Sequence, residues 1–343
     1  MKIIHTADIH LDSPLVGVAD SALRRTELLR ALSDLSEFAD NSGVAAVIVA
    51  GDLFDDQFVS EKTVKSVAEI VEKSKAQWFV LRGNHGNETP YKALKTLCPK
   101  VNFFGENWQE YRLGNVSLIG RELGRNDESE WQKFSVDPSR YNVLVLHGDL
   151  DDPTYGVIDK DVVAKSGVNY VALGHRHSFA CFKTGNAKVC YSGVLEPRGF
   201  DETSETGFVV IDTDADKVFF QKQHVRKVET VTVDVSEVCT DLSLEKLVLE
   251  KVAPVSARNY LNVEFVGSLQ EGVRLLPVAQ NVLENRFFAL RLKDKTVLKV
   301  DYEQIKQEVS LRGEFVKLAC EIADEKLRKE VVSLGLRALN GEV

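Results

Sequence analysis

Short apolar runs recur along the first half of the chain, and each has the β-branched or apolar composition of a buried strand. The runs are Lys2–Thr6, Ala46–Ala50 and residues 78–81, 142–146 and 170–173. Between the first three runs, apolar residues at helical spacing predict crossover helices over residues 21–42 and 60–74. This alternation of strands and helices predicts an α/β fold.

Shorter strand signals follow in the middle of the chain, where polar and apolar residues alternate. The segments predicted as strands are residues 101–104, 109–113, 116–120, 179–183, 188–191, 207–213 and 217–224. The later ones are spaced like hairpins, which would close a second sheet. We therefore expect a mixed sheet arrangement and a four-layer α/β/β/α sandwich.

The pattern starts again beyond about residue 228, where a helix at 244–252 and strands at 260–266 and 286–292 are predicted. We expect three segments: a catalytic domain at 1–228, a small α/β cap domain at 229–300 and a helical segment at 301–343. The helical segment carries periodic apolar residues among many charges. It either packs on its own domain or presents a helix to a partner protein.

Polar residues of metal-ligand type stand at the ends of the five long strands. The motifs are Asp8-Ile9-His10, Gly51-Asp52, Gly83-Asn84-His85, His147-Gly148 and Gly174-His175-Arg176-His177, and they hold five of the seven histidines. Because ligands of open α/β sheets bind beyond the carboxyl ends of the strands, we expect these motifs to meet in one cleft. The combination predicts a two-metal site that acts on a phosphoester.

The donor set also indicates which metals would bind. It mixes carboxylates, imidazoles and one amide oxygen, and this mixture suits Mn, Fe or Zn better than Mg or Ca, which prefer oxygen ligands alone. Taken singly, each motif could be a turn, a loop or a satisfied core histidine. Their regular placement after successive strands favours the metal site.

Composition agrees with a folded protein of one large or two ordinary domains, since the chain has 343 residues of which 44% are hydrophobic. No apolar run approaches the roughly 18 to 20 residues of a membrane span, and the first strand leads straight into Asp8 without a signal-peptide pattern. We expect a cytoplasmic protein. Its five cysteines lack CxxC spacing and are expected to be reduced. Cys181 and Cys190 could face each other across a hairpin, but a reducing compartment disfavours a disulfide.

The net charge of −9 is opposite in sign to that of a typical nucleic-acid binder. This charge argues against tight DNA binding by the chain alone. Two divalent cations would add positive charge to the cleft, and a partner could supply further contacts.

The order D-x-H, G-D, G-N-H, H-G, G-H-x-H resembles the calcineurin-like metallophosphoesterase superfamily over residues 1 to about 225. Within it, HTADIHLDSP at 5–14, GDLFD at 51–55 and YSG at 191–193 resemble the SbcD nuclease subunits, particularly the YhaO-like bacterial branch. The resemblance implies a manganese-dependent DNA-repair nuclease with a cap domain. It also implies an SMC-like ATPase partner of the SbcC type.

The resemblance assigns the ligands to two metal ions that share Asp52. One ion would be held by Asp8, His10, Asp52 and His177. The other would be held by Asp52, Asn84, His147 and His175. A carboxylate suits the shared position because its two oxygens can serve two cations.

Two further residues are given catalytic roles by the resemblance. His85 would face the scissile phosphate and protonate the departing alkoxide. Asp55 lies three residues after the shared ligand, where phosphoprotein phosphatases of the superfamily place a carboxylate against their catalytic histidine. We expect Asp55 to orient His85, with Asp56 as its rival. Gly86 departs from the Asp or Glu that commonly follows this histidine.

Three functions remain to be compared. The first is a DNA phosphodiesterase that acts with an ATPase partner. The second is a phosphatase or phosphodiesterase for a small-molecule or protein phosphoester, with the same site. The third is a binding protein with a degenerate site, and it is disfavoured because every ligand type is present. The sequence leaves open exonuclease against endonuclease action, strand polarity, native metal and whether the chain forms a homodimer.

Overall fold

The chain divides into two units, Met1–Lys227 and Val228–Val343. The computed structural model describes residues 1–15, 18, 20–55, 59–85, 87–123, 134–150, 156–339 and 341. The described strands of the first unit are β1 Lys2–Thr6, β2 Ala46–Ala50, β3 Gln77–Leu81, β4 Asn102–Phe103, β5 Gln109–Leu113, β6 Val116–Gly120, β7 Tyr141–His147, β8 Tyr170–Gly174, β9 Ala180–Thr184, β10 Ala187–Tyr191, β11 Gly207–Asp212 and β12 Lys217–Lys222. Its described helices are α1 Ser21–Asn41, α2 Glu61–Lys73, α3 Glu88–Leu97 and α4 Lys160–Lys165.

These strands form two six-stranded sheets. In the first, the order is β12-β11-β1-β2-β3-β4. Strands β1 to β4 are parallel, and β11 is antiparallel to both of its neighbours, β1 and β12. In the second, the order is β5-β6-β7-β8-β10-β9, with β6, β7, β8 and β10 parallel. The strands that end in the sequence motifs are therefore central strands of both sheets.

Successive side chains of a strand point to opposite faces, and this alternation separates the cores of the first unit. On β1, Ile4 packs in the cluster that contains Leu28 and Leu32 of α1. Its neighbour Ile3 packs in a second cluster with Val143 of β7, between the two sheets. A third cluster covers the other face of the second sheet and includes Val163 of α4. The predicted α/β/β/α sandwich is confirmed.

Side-chain caps fix where the crossover helices begin. The Asp20 carboxylate accepts a hydrogen bond from the Leu23 amide at the start of α1, and Ser60 Oγ accepts one from the Thr63 amide at the start of α2. An N-cap of this kind is worth about 0.5–2 kcal/mol relative to alanine. The helices therefore occupy nearly the ranges that their apolar periodicity predicts.

The second unit contains a small parallel sheet covered by two helices. Its strands β13 Val228–Asp234, β14 Tyr260–Val266 and β16 Ala289–Asp294 lie in the order β13-β14-β16, and β15 Ser268–Gln270 pairs with β17 Val297–Lys299. Helices α5 Asp241–Val252 and α6 Leu275–Leu283 share one apolar core with this sheet. The strand expected at 286–292 lies two to three residues later.

Three further helices end the described chain: α7 Tyr302–Lys306, α8 Leu311–Ala319 and α9 Glu325–Leu339. They enclose an apolar cluster of their own. Helix α9 is fixed to β17, since Ser333 Oγ accepts a hydrogen bond of 3.0 Å from the Leu298 amide. No helix in the described part of the chain is long and apolar enough to cross a membrane.

One sequence expectation about the cysteines is wrong. Cys181 of β9 and Cys190 of β10 are joined by a disulfide. The antiparallel register places them directly opposite each other, with their Cα atoms 4.2 Å apart. Cys98, Cys239 and Cys320 are free. The hairpin register, which the sequence only suggests, decides this pairing.

Candidate metal centre

The five motifs meet where the carboxyl ends of the central strands of both sheets come together. The clearest link is His147, the last residue of β7, which donates its Nδ1–H to the carbonyl oxygen of Ala50 at the end of β2, at 2.9 Å. Asp8, Asp52 and His147 are each about 1% exposed. A buried polar pocket between the two sheets results.

Unusual backbone conformations direct the side chains into this pocket. Asp8, His10 and Asp52 have left-handed backbones, with φ of 51°, 48° and 52°. Such conformations cost a residue with a side chain about 1–2 kcal/mol and persist where the surroundings hold them. Here the His10 amide donates to the Asp52 carbonyl oxygen at 2.9 Å, and the Asp52 amide donates to the carbonyl oxygen of Arg82 at 2.8 Å. The strand ends thus support one another.

Asp52 lies at the middle of the cluster. Its Oδ2 atom is 3.2 Å from Nε2 of His147 and 3.8 Å from Nε2 of His10. Its Oδ1 atom accepts a hydrogen bond of 2.9 Å from the His85 amide. Asp52 therefore contacts residues that the sequence assigns to different metal ions.

Two sets of side chains could each hold an ion. Ligand atoms of Asp8, His10 and His177 lie within 4.8 Å of one another, and so do those of Asp8, Asp52 and His147. Asp8 takes part in both sets, whereas the sequence assigns it to one ion.

Asn84 and His175 complete the cluster. Asn84 Oδ1 lies 2.6 Å from Nε2 of His147 and 3.3 Å from Nδ1 of His175. The His175 amide donates to both carboxylate oxygens of Asp8, at 3.1 and 3.0 Å. All seven residues that the sequence proposes as ligands are thus brought into one group of contacts.

The donors fit divalent cations. Neither ring nitrogen of the buried His10 has a hydrogen-bond partner among the described residues, although Nδ1 lies 3.4 Å from Asp55 Oδ1. A buried polar atom left without a partner costs about 1–3 kcal/mol. A cation that bound His10 together with Asp8 and Asp52 would remove this cost and neutralise two buried carboxylates.

In the metal-free protein, the pKa values of the buried acids and of His147 depend on one another. Burial raises the pKa of Asp8 to about 6, with the Asp52 carboxylate adding to the rise and His147 opposing it. Burial would lower the pKa of His147, but Asp52 and Asp8 outweigh it and raise this pKa to about 9. In the absence of a cation, the positive charge of protonated His147 offsets the negative charge of the buried carboxylates.

His85 is held at the edge of the cluster. Besides the bond from its amide to Asp52, its ring packs edge-on against the ring of His10, with the centroids 5.2 Å apart. Gly86, which departs from the residue types common at this position in the superfamily, lies outside the described residues.

Asp55 lies beside His10 and Arg198. Its Oδ1 atom lies 3.4 Å from Nδ1 of His10 and 3.9 Å from Nη1 of Arg198. The sequence assigns this carboxylate to His85, and that role of Asp55 stays a prediction. Asp56, the rival candidate, lies outside the described residues.

Sequence reasoning gave no role to four charged residues beside the last motif. Arg198 and Glu202 lie behind His177, whose Nδ1 is 3.0 Å from Glu202 Oε1. Arg176, between the two histidines of its motif, donates two hydrogen bonds to the carboxylate of Asp149, at 2.6 and 2.7 Å. The one available signal was the position of Arg176 inside the motif.

Two glycines of the motifs are required by close packing. Gly83 has φ of 89°, and a Cβ atom there would meet the Asp52 carboxylate. Gly51 has φ of 103°, and a Cβ atom there would meet the imidazole of His147. Glycine alone therefore allows these two side chains to occupy the pocket.

Comparison with known proteins agrees with this geometry. Residues 1–179 match the family described as calcineurin-like phosphoesterase, and the chain belongs to that family. It is a metal-dependent phosphoesterase, and the members of its family use a dinuclear metal centre.

Three relatives are informative. The metallophosphoesterase YhaO of Bacillus subtilis (strain 168) is 28% identical over 338 residues, which cover 86% of this chain and 82% of that protein. The DNA double-strand break repair protein Mre11 of Archaeoglobus fulgidus is 28% identical over 237 residues, or 60% of this chain and 52% of Mre11. The SbcD component of the nuclease SbcCD from Staphylococcus epidermidis is 22% identical over 306 residues, or 76% and 78% of the two chains. The resemblance to the SbcD and YhaO-like branch is confirmed.

Proposed function

We propose that this protein is a manganese-dependent phosphodiesterase that cleaves DNA as the nuclease subunit of an SbcD-type repair complex. The observation that carries the proposal is the group of seven ligand-type side chains that includes the buried carboxylate of Asp52, with the His85 amide bonded to the same carboxylate. Similarity to proteins named as repair nucleases supports DNA as the substrate.

In this proposal the ligands divide as the sequence suggests. Asp8, His10, Asp52 and His177 would hold one manganese ion. Asp52, Asn84, His147 and His175 would hold the other. Two such cations would polarise the phosphodiester and make water a stronger nucleophile at neutral pH. Manganese is preferred, with iron or zinc as alternatives, because the donors are mixed nitrogen and oxygen atoms.

His85 would donate a proton to the departing sugar oxygen. Its position supports the role, since the bond from its amide to Asp52 fixes the residue beside the ligands while its ring contributes no nitrogen to the two ligand sets. A positioned proton donor contributes about 10² to 10⁴-fold to a rate. Asp55 would act indirectly, by supporting His10.

Binding to DNA would be shared with an SMC-like ATPase of the SbcC type. The net charge of −9 supports sharing, because a net negative charge opposes the approach of DNA phosphates. We also propose that residues 229–300 act as a cap domain and that residues 301–343 bind the ATPase. Exposed leucines seven residues apart support the second part, since Leu311 and Leu318 share one side of α8 and Leu327 and Leu334 share one side of α9.

A digestion series would test the proposal. The purified protein is incubated with Mn²⁺ and linear duplex, hairpin or circular single-stranded DNA, with and without the ATPase, and Asp52→Ala protein prepared in parallel serves as the control. We expect Mn²⁺-dependent cleavage of at least one DNA that the variant does not perform. Hydrolysis of p-nitrophenyl phosphate without cleavage of any DNA would favour a phosphatase instead.

A further inference from the structure

Three histidines of the metal centre share one arrangement: each has its Nδ1 atom beside an oxygen atom outside the ligand set. For His147 this oxygen is the carbonyl of Ala50, at 2.9 Å. For His10 it is Asp55 Oδ1, at 3.4 Å. For His177 it is Glu202 Oε1, at 3.0 Å. In the first two cases Nε2 faces Asp52, so the nitrogen turned to the centre is the one opposite the neighbouring oxygen.

Of these three oxygen atoms, the one beside His177 is held by two hydrogen bonds from Arg198. Glu202 is 9% exposed and is gripped by Arg198, which donates to Oε1 from Nη2 at 2.6 Å and from Nε at 3.0 Å. The Arg198 amide donates to Oε2 at 2.6 Å. Three bonds from one arginine therefore fix the carboxylate that faces the imidazole.

The chain segment before this pair is also anchored from inside the protein. Glu196 is 2% exposed and is paired with the fully buried Arg24 of α1. The other oxygen of Glu196 accepts a bond from the Val225 amide. Buried charges that are paired in this way hold a segment in one position. The segment that carries Arg198 is therefore tied to α1 two residues earlier, at Glu196.

Arg198 and Glu202 favour opposite protonation of the same nitrogen, Nδ1 of His177. Arg198 Nη2 lies 3.2 Å from Nδ1 of His177 and can only donate a proton, whereas Glu202 Oε1 lies 3.0 Å from it and can only accept one. If Nδ1 donates to Glu202, the ring hydrogen is on Nδ1 and Nε2 has a free lone pair. If Nδ1 accepts from Arg198, the ring hydrogen is on Nε2, which then cannot bind a cation.

We propose that Glu202, held by Arg198, is a positioning residue that keeps the hydrogen of His177 on Nδ1, so that Nε2 is free to bind a metal ion together with Asp8 and His10. This inference rests on the proposed metal centre and goes beyond it, because it names what selects the binding form of one ligand. Arg198 also reaches Asp55 behind His10, at 3.9 Å, so that the supports of both imidazoles are connected. Supporting groups of this kind typically change metal affinity by about 10 to 100-fold.

The first test needs no metal and no substrate. Nitrogen-15 NMR of the metal-free protein, recorded where the ring is neutral, identifies which nitrogen of His177 bears hydrogen; His177→Asn assigns the signal. We expect Nδ1–H in the wild type and a shift towards Nε2–H in Glu202→Gln, since the carboxylate is removed and Arg198 remains. Glu205→Gln removes the same charge from a half-exposed neighbour that pairs with Lys222, and should match the wild type.

Arg198→Gln separates a positioning role from general disruption of the segment. This variant loses the guanidinium that competes for Nδ1 but retains Glu202, which the backbone amide of residue 198 still holds, so His177 should keep Nδ1–H. Adding Arg198→Gln to Glu202→Gln should reverse part of the tautomer shift. An unchanged tautomer in Glu202→Gln, or the same shift in Arg198→Gln, would overturn the proposal.

Manganese titration by calorimetry and electron paramagnetic resonance provides the second readout. Glu202→Gln should bind one of two equivalents about 10 to 100-fold more weakly, with loss of the signal of coupled ions, while Glu205→Gln binds as the wild type does. Two equivalents bound with wild-type affinity by Glu202→Gln would refute the inference. A wild type that bound two ions but cleaved no DNA would instead refute the nuclease proposal and leave this one standing.

Discussion

Nε2 of His147 lies 3.2 Å from Oδ2 of Asp52, and this contact joins the ends of strands from different sheets. His147 ends β7 in the second sheet, and Asp52 follows β2 in the first. Both side chains are about 1% exposed. The candidate centre thus exists because the two sheets face each other, and its properties depend on the carboxylate between them.

Asp52→Ala should remove both metal ions and reduce turnover to background, because this carboxylate lies within reach of residues of both ligand sets. Metal content by mass spectrometry of the dialysed protein, together with turnover of bis-p-nitrophenyl phosphate, checks this. Asp34→Asn, on the exposed side of α1 beside Arg30, is the matched control and should retain both metals. Full metal content in Asp52→Ala would contradict the assignment.

His85→Ala should retain both metals but lose about 10² to 10⁴-fold in turnover, because it removes a proton donor and no ligand. The loss should be smaller for a p-nitrophenolate leaving group, which needs no protonation. Turnover and metal content are measured on the same preparations. His224→Ala, a histidine outside the motifs, is the control. Loss of metal from His85→Ala would identify His85 as a ligand.

Gly83→Ala should weaken metal binding strongly while the chain still folds, because the added Cβ atom meets the Asp52 carboxylate. Gly43→Ala is a stringent control. Its φ is also positive, at 63°, but no atom lies within 4 Å of the added Cβ. Gly43→Ala should lose about 1–2 kcal/mol of stability from backbone strain. Gly83→Ala should lose more, because its added Cβ atom also lies 2.7 Å from the Asp52 amide nitrogen, and it alone should lose metal affinity. Equal metal affinity of the two variants would contradict the prediction and show that the Asp52 carboxylate still reaches the metal ions beside the added Cβ atom.

His5 should make the stability of the metal-free protein depend on pH. Its Nδ1 is 2.8 Å from the Tyr170 hydroxyl and its Nε2 is 3.2 Å from the Leu173 carbonyl oxygen, which the neutral ring satisfies by accepting and donating. Burial lowers the pKa of His5 from 6.5 to about 3, although the bond to Leu173 opposes the shift.

The sign follows from the lowered pKa. Above about pH 6.5 the ring is neutral in both folded and unfolded chains, so the contribution of His5 is complete. As the pH falls towards 3, the unfolded chain takes up a proton that the folded one excludes, and this contribution is lost at up to about 1.4 kcal/mol per pH unit. Urea unfolding of wild type and His5→Gln between pH 7 and 5, with chelator present, measures the difference. Parallel pH dependence of the two proteins would exclude the effect.

Leu318→Glu and Leu334→Glu should reduce binding to an SbcC-type ATPase at least tenfold without unfolding the chain. These side chains are 67% and 59% exposed, so their replacement should change stability by no more than about 0.5 kcal/mol. Binding of the purified proteins is measured by calorimetry. Leu242→Glu, 61% exposed on α5, is the control. Equal affinity of all three variants would place the partner elsewhere.

The sequence alone determines the strands, the crossover helices and the order of the ligand motifs. Apolar periodicity is a local property, and a buried parallel strand such as Ala46–Ala50 is apolar throughout because both its faces are covered. The motif residues follow such strands directly in the chain. The carboxyl ends of parallel strands share one edge of a sheet, so the meeting of Asp8 and Asp52 could be predicted without coordinates.

Tertiary structure alone decided the contacts between segments that are far apart in the chain. Asp55 lies beside His10, Glu202 lies behind His177, and the hairpin register joins Cys181 to Cys190. Each of these contacts depends on the angle at which a loop leaves its strand or on a shift of one residue in register. A polar side chain follows the same local pattern whichever imidazole it faces, because hydrogen-bond geometry is fixed over a few ångströms by packing and not by periodicity.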